Sequence, residues 1–343
     1  MLGTLRFSLA LLVSLNHLWF IYGVGRLAVF SFYVISGYLM TTIIRETYGL
    51  SLRGVRRYAE NRLLRIYPAY LLSFFIFSIV FSYFNRDSLI AFDGNISTPA
   101  TAIDWLRNIT LVGLDFWVKD RTIPPSWTLY VELSYYALIP ALLFLGNRAL
   151  LVWLGISCAF HAYLLLGAGT GDPSLAWEQR YGSVAAGSVG FAIGACARVY
   201  LPTWLQNRPA FLGSLLIFCG CYAYSAYWAL TGTQPGHTRY LSTIAYYAVM
   251  LSAAPVVDYL ARMPKHWLSE KLGEFSYPYY LLHLPVGFLA FVLVGSGHKT
   301  WQTLFAGIVA SLLASWILVK IDQKISRARR VIRDKARLNS SIS

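Results

Sequence analysis

Ten apolar runs of about twenty residues each, bounded by charge, proline or glycine, fill most of this 343-residue chain and leave it few folds to adopt. They lie near residues 5–23, 27–44, 66–84, 126–145, 149–167, 181–199, 210–230, 240–260, 275–294 and 301–320. A hydrocarbon core about 30 Å thick takes roughly 20 apolar residues per spanning helix. The fold expected is therefore an all-α polytopic membrane bundle of about ten transmembrane helices. It consists of a membrane domain over residues 1–322 and a basic tail over 323–343. Composition agrees: 57% of residues are apolar and 13% charged, against about 25% charged in an ordinary soluble domain, and the mean hydropathy is +0.53. The first run has no small-residue cleavage site leading into a soluble domain, so it reads as a span and not as a removable signal peptide. Gly190 and Gly194 make a small-xxx-small pair on the sixth run, suited to close helix packing.

Orientation follows from the Lys and Arg residues, which favour the cytoplasmic side. With ten spans, Arg26, Arg86, Arg107, Lys119, Arg121, Arg180, Arg239 and Lys299 fall on one side, and all the rest of the 29 on the other. Both termini are thus expected in the cytoplasm. The net charge of +14 is accounted for by topogenesis and by contact with anionic membrane lipids, without a nucleic-acid partner. Cys158, Cys196, Cys219 and Cys221 lack metal-ligand spacing and read as small buried hydrophobes, and no metal site is expected. Asn95 and Asn108 start short sequons that carry little weight.

The longest connection, residues 85–125, is mostly polar, with an apolar stretch too interrupted to span. It reads equally as an interfacial cap and as a lid over an acceptor site.

A titratable group kept inside a span usually faces the bundle interior and serves a function. His17, Glu132, His161 and His283 meet that description. His17 stands eleven residues from Arg6, roughly 16 Å along a helix, and Glu132 is expected at similar depth on the fourth span. A carboxylate beside an imidazole fixes its tautomer and raises its basicity, as a general base acting on a hydroxyl requires. The other reading is a structural polar contact between helices. His283, before Pro285 and expected nearer the inner side, is open to a packing role, and His161 reads as a satisfied structural histidine. His237, His266 and His298 fall in loops and are expected in solvent.

Between the second and third spans the chain carries six arginines, among them Arg62 and Arg65. Guanidinium forks bind phosphate oxygens in bidentate fashion, so this segment suits a phosphorylated donor such as coenzyme A. Positive-inside bias alone would also place several arginines here.

Five stretches together resemble the acyltransferase-3 family of integral membrane O-acyltransferases. RFSLALLVSLNH is similar to its Arg-x10-His signature, with Arg6 and His17; FYVISGYLM, with Ser36 and Gly37, to its aromatic-rich Ser-Gly stretch; and RLLRIYPAY, with Arg62, Arg65 and Pro68, to its arginine pair leading into Ile-x-Pro. PPSWTLYVELSYYALIP, with Trp127 and Glu132, is similar to its Ser-Trp-x-Leu-x-x-Glu-x-x-Tyr stretch, and GEFSYPYYLLHLP, with His283, to its closing Ser-Tyr-x-x-Tyr-Leu-x-His-x-Pro. The segment ahead of Arg6 is shorter than the family usually shows.

The resemblance implies transfer of an acyl group, commonly acetyl, from acyl-CoA as co-substrate to a hydroxyl of a carbohydrate or lipid-linked glycan. No bound cofactor is implied. On this reading His17 and Glu132 are catalytic, Arg6, Ser36, Arg62 and Arg65 hold the donor, and Trp127 and His283 touch the acceptor. His17 acts either as general base or as a covalent acyl carrier. A bacterial inner membrane is the expected location, and the short tail implies a stand-alone transfer or a partner supplied in trans. The alternatives are a proton-coupled secondary transporter using His17, Glu132 and His283, against which the two halves of the chain show no repeat, and a glycosyltransferase or ligase acting on lipid-linked sugars.

Overall fold

The computed structural model describes residues 1–19, 21, 23–166, 173–231, 238–295 and 297–340, and among these there is no β-strand. His237 lies outside them. In chain order the helices are α1 (Leu2–Leu18), α2 (Val24–Ile43), α3 (Leu52–Phe81), α4 (Arg86–Phe92), α5 (Ala102–Thr110), α6 (Trp127–Phe144) and α7 (Asn147–Leu165). Then follow α8 (Pro173–Gly182), α9 (Val184–Tyr200), α10 (Arg208–Thr231), α11 (Thr238–Arg262), α12 (Trp267–Val294) and α13 (Trp301–Ser340).

Eight helical segments are long and apolar enough to cross a membrane, and the chain is an all-α polytopic bundle. The first and sixth expected spans correspond to α1 and α9, which are shorter at 17 residues each, about 25 Å at the helical rise. Both are interior helices. α1 packs on α12 and α2, while α9 packs on α2 and α7 and is buried continuously from Ala186 to Ala197. Lipid meets the outer helices instead, through side chains such as Ile79 on α3, Val152 on α7, Leu216 on α10 and Leu313 on α13. Cys158 and Cys219 also face outward, unlike buried Cys196 and Cys221.

Glycines set the closeness of α2 and α9. A Cβ on Gly37 would lie 2.1 Å from the Phe191 carbonyl oxygen, and one on Gly194 would lie 2.0 Å from that of Val34. Only hydrogen fits at either position, as the small-residue spacing on the sixth run suggested.

Three helices exceed their expected bounds, among them α12, which starts at Trp267 rather than near residue 275. α3 starts at Leu52 rather than near residue 66, because Ser51 caps it by accepting from the Gly54 amide and Arg56 pairs with Glu60 one turn on. The arginine segment is thus mostly helix. α13 runs to Ser340 without a break at residue 322, and its distal part packs against α3, where the Asn61 side-chain amide donates to the Arg329 carbonyl.

Residues 85–125 form a cap over one end of the bundle. Tyr67 and Tyr70 of α3 donate to the carbonyls of Thr110 and Asn108, Ser97 and Arg121 are joined through their backbones, and Phe92 packs against Phe288 and Phe291 of α12. Asn108 is fully buried and donates to the carbonyls of Asp104 and Asp120, which rules out a glycan there.

Candidate active site

Two cavities open at opposite ends of the bundle, and α1 reaches both. Arg6, near its start, lines one of about 840 Å³; His17, in its last turn, lines the other, of about 450 Å³. Eleven residues at 3.6 per turn put the two side chains on nearly one face, roughly 16 Å apart along the axis.

The Arg6 cavity is strongly basic. Arg62 and Arg65 of α3, Lys265, Lys271, and Arg327, Arg329 and Arg333 of the extended α13 share its wall, against Glu270 and Glu274. Arg62 also lies over the Tyr58 and Tyr136 rings, 5.9 Å from each centroid. The segment read from sequence as a separate tail thus contributes three arginines to this wall.

At the other end, the cap delivers the carboxylate. His17 Nδ1 lies 3.1 Å from Asp93 Oδ2, at the end of α4. An ionised carboxylate can only accept, so this contact places a hydrogen on Nδ1 and leaves Nε2 as the basic nitrogen. Burial alone would raise the Asp93 carboxyl, but the hydrogen bond and charge of His17, with the backbone and side-chain N–H groups of Asn95, hold it well below the usual carboxylate range. The Lys299 ammonium donates to the His17 carbonyl at the C-terminal end of α1 and lies over the Phe92 ring, 4.5 Å from its centroid. Burial pushes Lys299 down to about 8 despite the opposing pull of Asp93.

Glu132 is not the carboxylate beside His17. Its Oε1 accepts from Ser36 Oγ at 3.0 Å and from Tyr136 Oη at 2.5 Å, and its charge acts on Arg6. Depth counted along separate helices could not reveal this, because α2 and α6 turn the carboxylate towards the Arg6 end. Ser36, expected to hold the donor, has Glu132 as its partner and lines neither cavity. Trp127 does line the His17 cavity, edge-on to Phe116 and Tyr181. His283, expected nearer the other end, is instead fully buried with its ring centroid 5.4 Å from that of His17. Its Nδ1 donates to the Tyr280 carbonyl at 2.8 Å, and Nε2 has no partner. His283 therefore backs His17 and is not part of the cavity wall.

His161 is satisfied structurally, by Tyr247 Oη at 2.9 Å and the Ala186 carbonyl at 3.0 Å. Asp258 on α11 is a further buried acid, within the eighth expected span and not among the titratable residues singled out from sequence. It accepts from Tyr38 Oη at 2.9 Å and pairs with Arg262. Between the cavities the interior carries further polar pairs, Ser14 with Tyr279 and Thr128 with Tyr280, each at 2.8 Å.

The profile of the acyltransferase-3 family, described as an acyltransferase domain, matches residues 2–320. The chain belongs to that family. An uncharacterised protein of Haemophilus influenzae (strain ATCC 51907 / DSM 11121 / KW20 / Rd) is 32% identical over 126 residues, which are 34% of this chain and 49% of that protein. The chain thus spans about half the length of this curated relative. No solved structure matches it. The family match ends at residue 320, so Arg327, Arg329 and Arg333 of the basic cavity lie beyond the acyltransferase-3 domain.

Proposed function

We propose that the protein is a membrane O-acyltransferase that takes an acyl group, acetyl in the simplest case, from acyl-CoA in the Arg6 cavity and passes it to a hydroxyl of a carbohydrate acceptor in the His17 cavity. The observation that carries this reading is the His17–Asp93 pair at one cavity, on the helix face that carries Arg6 into the other. Eight Lys and Arg side chains around the Arg6 cavity suit the phosphates of coenzyme A. The Lys and Arg bias supports a cytoplasmic position for that cavity, the side on which acyl-CoA would be available. The pantetheine arm then follows α1 past the interior polar pairs towards His17.

At His17, Asp93 accepts the Nδ1 hydrogen and Nε2 removes the proton of the acceptor hydroxyl as its oxygen attacks the thioester carbonyl. The tetrahedral intermediate collapses with loss of the coenzyme A thiolate, which takes up the proton held by the imidazolium. An O-acyl ester and free coenzyme A result. Asp93 acts as a positioning residue, and Glu132 holds α2 to α6 near the donor arginines.

The test is acyl transfer in membranes from cells expressing wild type or His17→Ala, supplied with acetyl-CoA labelled in its acetyl group. Label should enter the glycan fraction only with wild type, at equal protein abundance. Equal labelling would remove His17 from the chemistry, and uptake of solute without any acyl product would favour a transporter.

A further inference from the structure

Three polar side chains stand close together at the end of α1: Ser14, Asn16 and His17. Two of them have protein partners. Ser14 Oγ donates to the Leu11 carbonyl and accepts from Tyr279 Oη, and His17 Nδ1 meets Asp93. Asn16 differs. It lines the His17 cavity, and its Oδ1 is buried with no hydrogen-bond partner. A buried amide oxygen left unpaired destabilises a fold, and a leucine of similar volume at this position would avoid the penalty.

We propose that Asn16 is a catalytic residue of the acyl transfer, its amide Nδ2 hydrogen-bonding the thioester carbonyl oxygen and holding the negative charge that develops there. This rests on the acyl-transfer reading at His17 and adds to it the group that stabilises the transition state.

The orientation of the amide is the observation that carries it. Oδ1 is turned towards Gly25 at the start of α2: a Cβ built on that glycine would stand 2.7 Å from Asn16 Cβ, 3.0 Å from Cγ and 3.3 Å from Oδ1. Only hydrogen fits there, so α2 comes close enough to seat the oxygen half of the side chain without bonding it. The amide is planar, with oxygen and nitrogen on opposite sides of Cγ, so the N–H half points away from Gly25 and is the part of Asn16 left to serve the cavity it lines. His17 is the next residue, and base and amide thus reach one cavity from one turn of one helix. Acyl transfer needs that pairing: a base beside the attacking oxygen and a donor at the carbonyl oxygen. The C-terminal end of a helix is its negative end and would oppose an oxyanion. Here the Lys299 ammonium meets that end by donating to the His17 carbonyl.

In the step itself, the acceptor oxygen adds to the thioester carbonyl carbon as its proton passes to His17 Nε2, and the C=O π pair moves onto the carbonyl oxygen, against the Asn16 N–H. That pair returns as the C–S bond breaks, and the departing thiolate of coenzyme A takes the proton from the imidazolium. Asn16 neither gains nor loses a proton. Aspartate could not replace it, because an ionised carboxylate has no hydrogen to donate and would repel the oxyanion.

The test uses the full chain in membranes, as wild type, Asn16→Leu and Asn16→Asp. The probes are acetyl-CoA labelled in its acetyl group and the glycan fraction of the same cells, added in graded amounts. Both variants should slow transfer about 10²–10³-fold at saturating donor and glycan, the usual cost of removing one oxyanion donor. The KM for acetyl-CoA and the half-saturating amount of glycan should stay unchanged. Asn16→Leu should melt at or above the wild-type temperature in detergent, because the unpaired oxygen is gone. Transfer near the wild-type rate in either variant, a loss seen only as weaker donor or glycan saturation, or a loss that tracks a lowered melting temperature in both variants would overturn the proposal. Absence of transfer by wild type would overturn the acyl-transfer reading and this proposal with it, so the two failures are told apart.

Discussion

Glu132 Oε1 accepts hydrogen bonds from Ser36 Oγ at 3.0 Å and from Tyr136 Oη at 2.5 Å, and this turns the carboxylate on α6 away from His17. Its function is then to tie α2 to α6 beside Arg6. Ser36→Ala should lower stability by about 1 kcal/mol, the net worth of one such bond, as a thermal midpoint in detergent would report.

The basic cavity predicts a donor effect from beyond the family domain. The triple variant Arg327→Gln, Arg329→Gln, Arg333→Gln should raise the KM for acyl-CoA about tenfold, equivalent to about 1.4 kcal/mol, with kcat little changed. Its salt dependence should also be shallower than that of wild type, because fewer charges meet the phosphates. Initial rates at varied acyl-CoA and two ionic strengths check both points.

Helix packing gives a prediction independent of chemistry. A methyl on Gly194 would enter the Val34 carbonyl, so Gly194→Ala should cost roughly 1–3 kcal/mol through overpacking. Gly213 on α10 has nothing within 4 Å of the same methyl, and Gly213→Ala should leave the melting temperature unchanged or slightly raised. Paired melts of the two variants decide it.

Lys299 sets a pH dependence of stability. Its ordinary value of 10.5 falls to about 8 in the folded chain, largely through burial. The folded state therefore binds fewer protons than the unfolded state between about pH 8 and 10.5, and this group makes stability rise with pH across that window. Lys299→Met should flatten that rise, and melts from pH 7.5 to 10 in steps of about half a unit would measure it.

Much of the fold was legible because hydropathy is read span by span. The eight long segments, the two shorter helices and the α2–α9 glycine contact all follow from runs of apolar and small residues. The site was legible only where one helix carries it, as with Arg6 and His17 on α1. Asp93 escaped because it lies in the polar cap, outside any span, and only the folding of α4 back over α12 brings it to the imidazole. The arginines of α13 escaped for a related reason: a basic stretch after a last span looks like a solvated tail until Asn61 is seen to hold its backbone against α3.

The most direct test of the account compares Asp93→Asn with Glu132→Gln in single-turnover acyl transfer from acetyl-CoA at saturating donor. If Asp93 is the group that orients His17, Asp93→Asn should slow transfer by about 10²–10⁴-fold, the usual contribution of a general base held in the right tautomer, with protein abundance and acetyl-CoA affinity retained. Glu132→Gln should slow the same step far less. The reverse ranking, with Asp93→Asn near wild type, would contradict the His17–Asp93 mechanism.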